Sequence, residues 1–436
     1  MNTAPDFEPD TPAALKLDLL CKGLHVDDVA AVEAAGRPIR RTRAGMASGV
    51  DLILPGETHV NAPILERWIT DSPYHLRHKD GSFFVEKRGS GLVSQNGDSD
   101  APQRDLTKNG TRPLFPCPVT VPPQPAWYEA RTRSGVPMKR VAVMQGSYLA
   151  AYVGPACQNW LDEPRRNCKF CSVGLNLGRS EDEEKRVSDL VEVACRARDE
   201  TGVTFVHMNI GYQPDHGAID LVEPYVKALR DETGLLIGVQ APPHPDLERY
   251  DALKRMGVNN ISFCLEFWTE EELQRTCPGK YARSGREDFV RAIEHCAPMF
   301  NTTNGEIIAG IEPIEATLEG IDWITSVGAI PTVCIFRPLT GTDYEDRPSP
   351  TYESMKPVFA HLWEACMRHG LPVGIAPNVK VSIVMLPEEC RWLHATPNAF
   401  PFKRAKLALM RTLFGAYFRR RLKRAGKNRA SAAPAE

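Results

Sequence analysis

Three cysteines within a short stretch are the residues of this sequence whose type and spacing point most directly to chemistry. Cys157 is followed after ten residues by Cys168, and two residues separate Cys168 from Cys171. Thiolates at close spacing bind zinc or iron–sulfur clusters, which ordinarily take four protein ligands. A fourth position filled by a side chain indicates a structural site, whereas an open position lets a substrate or cosubstrate bind the metal.

The elements that must position these cysteines alternate between apolar strands and amphipathic helices from Arg140 onward. A strand predicted over 141–153 leads into the cysteines. Five more strands are predicted over 203–210, 235–240, 260–266, 306–311 and 332–336, with helices over 183–200, 218–232, 246–256, 286–299 and 315–327. This alternation is typical of parallel βαβ units and predicts an α/β fold, a partial (β/α)6 TIM-like barrel. Chemistry in such barrels lies at the carboxyl ends of the strands.

The segments around the barrel complete the predicted domain organisation. The boundaries are a small N-terminal α+β extension over 1–92, a linker and proline-rich extended segment over 93–126, the barrel over 127–345, a C-terminal capping region over 346–400, and a basic amphipathic helix and tail over 401–436. Within the capping region we predict a helix over 352–369 and a strand over 373–376. Proline lacks the N–H that a sheet needs, so 113–126 is expected to run extended over the surface.

Composition is that of an ordinary globular chain, with 436 residues of which 42% are hydrophobic. No run of about 18 apolar residues and no secretion signal is present, so a cytoplasmic protein is expected, with its 12 cysteines reduced or metal-bound. The net charge of −2 conceals an asymmetry. Residues 402–429 contain 11 Lys or Arg and no acidic residue, which leaves 42 basic and 55 acidic residues, or −13, elsewhere.

The sequence Cys168-Lys169-Phe170-Cys171 matches the second half of the C-x3-C-x2-C motif of the radical S-adenosylmethionine (SAM) superfamily, which this chain resembles. The first gap departs from the motif, with ten residues in place of three. The span 141–342, including Thr276–Lys280 and Phe336–Thr342, also resembles an uncharacterised radical SAM family of nitrilase-containing bacterial operons. The resemblance covers about half of the chain.

The resemblance implies an enzyme that binds a [4Fe-4S] cluster through Cys157, Cys168 and Cys171. SAM would chelate the open iron, and its reductive cleavage would generate a radical on a small-molecule substrate. A flavodoxin or ferredoxin-type protein is the expected electron donor, and no DNA partner is expected. No catalytic residue is assigned, and the sequence names no substrate.

SAM contacts are implied at the strand ends and beside the cluster. The residues are Gly211 and Gln213 for the SAM ammonium, where the family's usual glutamate is absent, Glu266 for the ribose, Gly310 and Phe170 for adenine, and Arg337 for the SAM carboxylate or a substrate anion. Other interpretations stand beside these. Glu266 could pair with a lysine at the barrel mouth, and a structural ion pair is favoured over a SAM contact for Arg337.

Further interpretations concern the cysteines and the tail. Cys195 could complete a zinc site with the three clustered cysteines, which would make the chain a zinc- or iron–sulfur-stabilised binding protein that contacts RNA or membrane through its basic tail. For the tail itself, docking of its apolar stripe on the acidic body is favoured over contact with membrane or RNA. Cys264 is interpreted as a small buried hydrophobe, and Cys277 as a loop thiol within reach of the cavity.

The ten-residue span between Cys157 and Cys168 is a feature of its own. It holds Trp160 and the basic pair Arg165 and Arg166. We predict that this span shapes the pocket or docks the electron donor.

Overall fold

The strands of this computed structural model fall into a main sheet and two smaller sheets, and the structure describes residues 9–37, 49–88 and 114–432. The strands are β1 (His25–Val26), β2 (Gly49–Leu54), β3 (Thr58–Pro63), β4 (Tyr74–Lys79), β5 (Ser82–Lys87), β6 (Cys117–Val119), β7 (Val143–Gln145), β8 (Tyr148–Tyr152), β9 (Phe205–Asn209), β10 (Leu236–Gln240), β11 (Asn260–Glu266), β12 (Thr302–Ala309) and β13 (Ile330–Ile335).

Helices connect the strands and cover one face of the main sheet. They are α1 (Pro12–Lys22), α2 (Val29–Ala34), α3 (Met138–Val141), α4 (Gln158–Leu161), α5 (Val173–Asn176), α6 (Val187–Thr201), α7 (Ala218–Thr233), α8 (Glu248–Met256), α9 (Glu270–Thr276), α10 (Pro278–Ser284), α11 (Glu287–Cys296), α12 (Ile314–Ser326), α13 (Tyr352–His369), α14 (Pro387–Cys390) and α15 (Pro401–Ala432).

The main sheet has its seven strands in chain order, from β7 to β13. From β8 to β13 every neighbouring pair is parallel, and the sheet curls into a half-barrel. The predicted partial (β/α)6 barrel is therefore confirmed. One strand was predicted over 141–153, but the chain turns at Gly146 (φ 76°) and forms the antiparallel pair β7 and β8. A side chain at Gly146 would meet the carbonyl of Lys380, so the turn depends on glycine.

Alternate side chains along each strand of the main sheet point to a helix-covered face and to an inner face. Val206, Ile237, Ile261 and Val333 are fully buried beneath the helices. The intervening positions lie on the opposite face and include the partly buried His207, Asn209 and Glu306 and the buried Gln240 and Ser262. Since successive side chains of a strand point to opposite faces, the inner face collects the polar residues of four neighbouring strands.

The N-terminal extension has the predicted α+β character, with a four-stranded sheet in the order β1-β4-β5-β6 and a separate β2–β3 hairpin. Residues 113–126 were predicted to stay out of sheets, yet β6 pairs with β5. Pro118 is tolerated there because β6 is an edge strand, where one side of the backbone needs no partner. The predicted linker lies largely outside the described residues.

The capping region contains α13 as predicted, but the strand predicted over 373–376 is wrong. In its place the described chain turns at Gly374 (φ 64°), whose carbonyl accepts a hydrogen bond from Arg411. The left-handed backbone and nearby Pro377 are incompatible with a regular strand. No helix in the described ranges is both long and apolar enough to cross a membrane.

A buried ion pair ties the N-terminal extension to the capping region. Lys16 on α1 is fully buried, and its Nζ lies 2.7 Å from Glu389 on α14 and 2.8 Å from the carbonyl oxygen of Val381. The Glu389 carboxylate also accepts the backbone N–H of Leu386 at 2.9 Å. A buried ammonium without its carboxylate is strongly unfavourable, so this pair fixes how the two regions meet.

Replacing Glu389 by Ala should lower the free energy of unfolding by about 3–5 kcal/mol, because it leaves the Lys16 charge buried without a partner. Urea unfolding measures the change. Lys16→Met, which removes the charge itself, should cost less than Glu389→Ala. Asp231→Ala is the control, since its partner Arg230 is 42% exposed and such surface pairs contribute about 0–1 kcal/mol. Equal losses for Glu389→Ala and Asp231→Ala would contradict this account.

Candidate functional site

The three cysteines lie together on the loop that follows β8. Cys157 precedes α4, and Cys171 lies just before α5 and donates its backbone N–H to the carbonyl of Cys168 at 3.0 Å. All three side chains are partly exposed. Burial, and then the neighbouring thiol of Cys168, raise the pKa of Cys171 to about 12. Metal binding at this loop must therefore displace protons.

Backbone N–H groups surround the cysteine sulfurs. Those of Asn159 and Tyr212 point toward the sulfur of Cys157, and that of Val173 points toward Cys171. Donors in these positions stabilise a thiolate or an iron-bound sulfur. Within the described ranges, no three His, Cys, Asp or Glu side chains already converge on one point to hold a single ion. A four-iron cluster differs from a single ion because its thiolates bind separate irons.

The loop after β9 packs directly on the first cysteine and brings two predicted residues there. A Cβ on Gly211 would lie 2.5 Å from the Cβ and 2.9 Å from the Sγ of Cys157, so no other residue fits. Gln213 donates its amide to the carbonyls of Pro155 at 3.2 Å and Gly211 at 3.5 Å. Both residues thus lie beside the cysteine loop, and their contact with SAM stays a prediction.

The junction of α9 and α10 forms the other wall of the cysteine loop. Lys169 donates its backbone N–H to Thr276 at 2.9 Å, and Gly279 donates to the carbonyl of Arg166 at 3.0 Å. Between these bonds, the buried Cys277 reaches Cys168, and a hydrogen bond from its thiol is the main cause of a lowered pKa at Cys168. The sequence placed Cys277 near the cavity but did not pair it with Cys168.

Glu266, the predicted ribose contact, lies near this wall. A bulge between Cys264 and Glu266 gives Glu266 a left-handed backbone (φ 71°). Its carboxylate accepts a hydrogen bond from Lys280 Nζ at 2.6 Å, in a buried ion pair. This is the lysine pairing that the sequence left open as the alternative. Sequence reasoning did not identify Lys280 as a site residue, although it lies on α10, three residues after Cys277.

The remaining predicted contacts have different surroundings. Phe170 packs edge-to-face with Phe267, with ring centroids 6.2 Å apart, in a small apolar cluster that includes Cys168 and Cys277. Gly310 has φ 100°, and a Cβ there would lie 2.8 Å from Pro350. Glycine is therefore required at this position by the backbone conformation and by the contact with Pro350. Whether Phe170 and Gly310 also meet adenine stays a prediction.

Arg337 is held by the protein itself. It is buried and donates from Nη2 to the carbonyl of Ile383 at 2.7 Å, and burial lowers its pKa to about 10. Its electrostatic neighbours are Cys334, Cys21 and Glu66, none of them on the cysteine loop. These contacts favour the structural interpretation of Arg337, and its proposed bond to the SAM carboxylate stays a prediction.

A chain of polar side chains crosses the inner face of the half-barrel. Gln240 receives a hydrogen bond from Asn209 and donates to Glu306, whose other oxygen accepts the hydroxyl of Ser262 at 2.5 Å. Cys264 donates to Glu306 at 3.4 Å, so it faces the cavity and is not the buried hydrophobe expected from sequence. Burial raises the pKa of Glu306.

Sequence reasoning did not identify Glu306 as a site residue. The signal for it was present, because Ser262, Cys264 and Glu306 share the phase of alternation that places Asn209 and Gln240 on the inner face. Glu306 can accept or donate a hydrogen bond according to its protonation state. The inner face therefore offers a polar anchor for a small molecule.

The ten-residue span between Cys157 and Cys168 folds against the part of the loop that contains Cys171. The Trp160 ring packs over Gly174, where a Cβ would lie 2.4 Å from it, and the Arg165 guanidinium lies 4.7 Å from the ring centroid. The indole N–H is directed at the sulfur of Cys171 and is buried without a hydrogen-bond partner of ordinary geometry among the described residues. An orphaned buried donor beside a cysteine fits an acceptor that arrives with a cluster.

Asp162 anchors the same span to α10. Its carboxylate pairs with Arg283 at 2.9 Å and with Arg166 at 3.0 Å, and Arg283 holds the pKa of Asp162 below its usual range. Arg165 pairs with Asp343 at 3.2 Å and is 48% exposed. Both arginines therefore already have acidic partners, and their proposed role in docking an electron donor stays a prediction.

Comparisons with known proteins give a likeness over part of the chain. No family model matches it. It is 24% identical over 248 residues to the bacteriochlorophyllide c C-7(1)-hydroxylase of Chlorobaculum limnaeum, a match that covers 52% of this chain and 61% of the hydroxylase. The chain thus spans less than two thirds of that relative's length.

Several solved structures are also similar. The coproporphyrinogen III oxidase of Escherichia coli, described as a radical SAM enzyme, is 17% identical with a TM-score of 0.30, covering 38% of this chain and 41% of that one. A radical SAM methyltransferase from Sphaerobacter thermophilus is 13% identical with a TM-score of 0.39, covering 69% and 76%. With TM-scores below 0.5, these likenesses transfer no detail of a site.

The class of protein that the half-barrel and the cysteine loop resemble is the radical SAM superfamily. A [4Fe-4S] cluster and SAM are the cofactors that this resemblance implies. The narrower likeness to the family of nitrilase-containing operons is not shown by these comparisons.

The zinc alternative loses its proposed fourth ligand. Cys195 is buried on α6, where its thiol points to the carbonyl of Glu232 at 3.9 Å in the packing between α6 and α7. The cysteine that approaches the loop is Cys277, not Cys195. Cys277 is therefore the remaining candidate for a fourth cysteine ligand at this loop.

Replacing Gly211 by Ala should weaken the metal affinity of the cysteine loop by about 10- to 100-fold, because the added Cβ displaces Cys157. Iron retained after anaerobic reconstitution and desalting measures the effect. Gly415→Ala is the matched control, since a Cβ there meets only the end of Arg419 at 3.6 Å. Wild-type iron retention in Gly211→Ala would contradict the packing role.

Glu306 predicts a pH dependence of stability. Because its pKa is raised in the folded state, the folded protein binds this proton more tightly than the unfolded chain. Its contribution to the free energy of unfolding is therefore present at low pH and is lost as pH rises from the ordinary carboxyl range through the folded pKa. Urea unfolding at several pH values should show a flatter profile for Glu306→Gln than for wild type. Identical slopes would show that Glu306 titrates normally.

Proposed function

We propose that this chain is a radical SAM enzyme that acts on a small-molecule substrate held on the inner face of its half-barrel. The observation that carries the proposal is the position of Cys157, Cys168 and Cys171, which lie together on the loop after the first parallel strand, beside an inner face lined with polar groups. A reduced [4Fe-4S] cluster held there would supply one electron to bound SAM, whose carbon–sulfur bond would break to give methionine and a 5'-deoxyadenosyl radical.

The chain's own residues perform two tasks in this proposal. Cys157, Cys168 and Cys171 hold the cluster, with Gly211 keeping the first of them in place. The wall formed by Thr276–Lys280 closes the loop on its other side and restricts water. Limiting solvent access protects a radical site from side reactions.

The inner face would orient the substrate. Gln240 and Glu306 form a fixed pair that is aligned by Asn209 and Ser262. A carboxyl group whose pKa is raised by burial stays protonated to higher pH than an ordinary carboxyl group, and in that form it can donate a hydrogen bond to a substrate carbonyl. The likeness to a hydroxylase supports a reaction that begins at a carbon–hydrogen bond. A cytoplasmic location and a flavodoxin or ferredoxin-type donor complete the proposal.

Single Cys→Ser variants test which thiols are ligands. Wild-type protein reconstituted anaerobically should carry about four iron and four sulfide per chain and release 5'-deoxyadenosine with dithionite and SAM. Cys157→Ser, Cys168→Ser and Cys171→Ser should each lose both properties, whereas Cys277→Ser should keep the cluster because its thiol only donates to Cys168.

Two results would contradict this assignment. One zinc and no sulfide per chain would indicate a structural metal site and favour a binding protein. Loss of the cluster in Cys277→Ser as well as in the other three variants would indicate a closed site with four cysteines, which leaves no iron for SAM.

Trp160→Phe should make the reduction potential of the cluster more negative, because hydrogen bonds to cluster sulfurs stabilise the reduced state. Redox titration followed by EPR measures the potential. The matched control is Trp68→Phe on the N-terminal extension, which removes another buried indole nitrogen that has no hydrogen-bond partner among the described residues. A potential equal to wild type in Trp160→Phe, with the cluster intact, would show that the indole does not donate to it.

A further inference from the structure

The last helix, α15, carries an exposed apolar stripe. Phe402, Leu409, Leu413 and Tyr417 are 89%, 61%, 62% and 60% exposed, and they are four of the nine large apolar side chains that are exposed in the described part of the chain. Their spacing of seven, four and four residues places them on one face of a helix. Large apolar side chains aligned in this way are typical of an interaction surface.

The opposite face of α15 holds the helix on the protein body, so the stripe points away from it. Lys403 donates to the carbonyls of Met367 and Arg368 at 2.7 and 2.8 Å. Phe418 is 1% exposed, and Arg421 donates to the carbonyl of Leu235 at 3.2 Å. One face of α15 therefore docks on the body, as predicted, and the other face is uncovered in the described part of the chain.

Positive charge surrounds the stripe. No acidic residue occurs anywhere in α15, and seven Lys or Arg lie between Phe402 and Leu422. Lys406 and Arg420 share the angular sector of the stripe, since they lie four residues after Phe402 and seven after Leu413. Their long side chains can reach past the apolar groups to charges at a surface.

We propose that α15 lies in the plane of an anionic lipid bilayer, with Phe402, Leu409, Leu413 and Tyr417 entering the headgroup and acyl boundary. A helix with an apolar stripe bordered by Lys and Arg matches such a surface in both polarity and charge. This orientation is parallel to the membrane and agrees with the finding that α15 is not apolar enough to cross one.

Two other occupants fit the helix less well. A second α15 from another copy would bring Lys406 and Arg420 against their own counterparts, and like charges at an apolar contact repel. RNA would meet the basic residues, but Leu409 and Leu413 at the centre of the stripe neither stack on bases nor bind phosphate. A bilayer uses both the apolar and the basic groups.

Sedimentation of the full chain with vesicles tests the proposal. The protein should sediment with vesicles containing one-third phosphatidylglycerol and remain in solution with pure phosphatidylcholine, and added salt should reduce the bound fraction at least about tenfold between low and high ionic strength. Leu409→Ser combined with Leu413→Ser should abolish binding without loss of fold, because both side chains are exposed. Leu65→Ser with Leu221→Ser is the control, with exposures of 42% and 39% elsewhere on the surface.

The outcomes separate the three occupants. Binding lost only in the Leu409/Leu413 variant supports the bilayer. Equal binding in that variant and wild type overturns the proposal, as does a dimer in solution that the variant converts to monomer. RNA binding that survives both leucine substitutions, without vesicle binding, assigns the helix to nucleic acid. None of these readouts depends on the proposed radical chemistry.

Discussion

The close fit between Cys157 and Gly211 is the constraint on which the site depends. It brings the loop after β8 against the end of β9, at a distance that only a glycine allows. The second side of the loop is fixed by backbone hydrogen bonds from Lys169 to Thr276 and from Gly279 to Arg166. Both contacts involve the backbone of neighbouring loops, so the position of the cysteines follows from the barrel's own topology, and the Asp162–Arg283 ion pair adds a side-chain anchor.

This packing bears on whether a metal bound by the three cysteines would have a fourth cysteine ligand. Three thiols at the loop were compatible with a closed zinc site, but Cys195 belongs to a helix–helix contact and is not beside them. Cys277 is the thiol that reaches Cys168, and the raised pKa of its thiol, due first to burial and then to Cys168, favours a protonated donor over a ligand. A thiol that donates a hydrogen bond in this way changes the reduction potential of a cluster without acting as its fourth protein ligand.

The parallel sheet could be predicted because each strand is a short apolar run followed by an amphipathic helix, and such units have essentially one way to pack. What the sequence did not reveal depends on contacts that form only when the loops fold back on themselves. Lys280 meets Glu266 where α10 returns to the end of β11, and Trp160 meets Gly174 across the cysteine loop. The β7–β8 turn was missed for a similar reason, since the role of Gly146 depends on Lys380, more than 200 residues away.

The central claim is that the three cysteines leave one iron free for SAM. EPR of the reduced, reconstituted protein tests it most directly when SAM carrying ¹⁷O in its carboxylate is added. The account predicts a changed cluster signal with hyperfine coupling to ¹⁷O, since the carboxylate then binds iron. A cluster signal that SAM leaves unchanged, in protein with full iron and sulfide content, would contradict it.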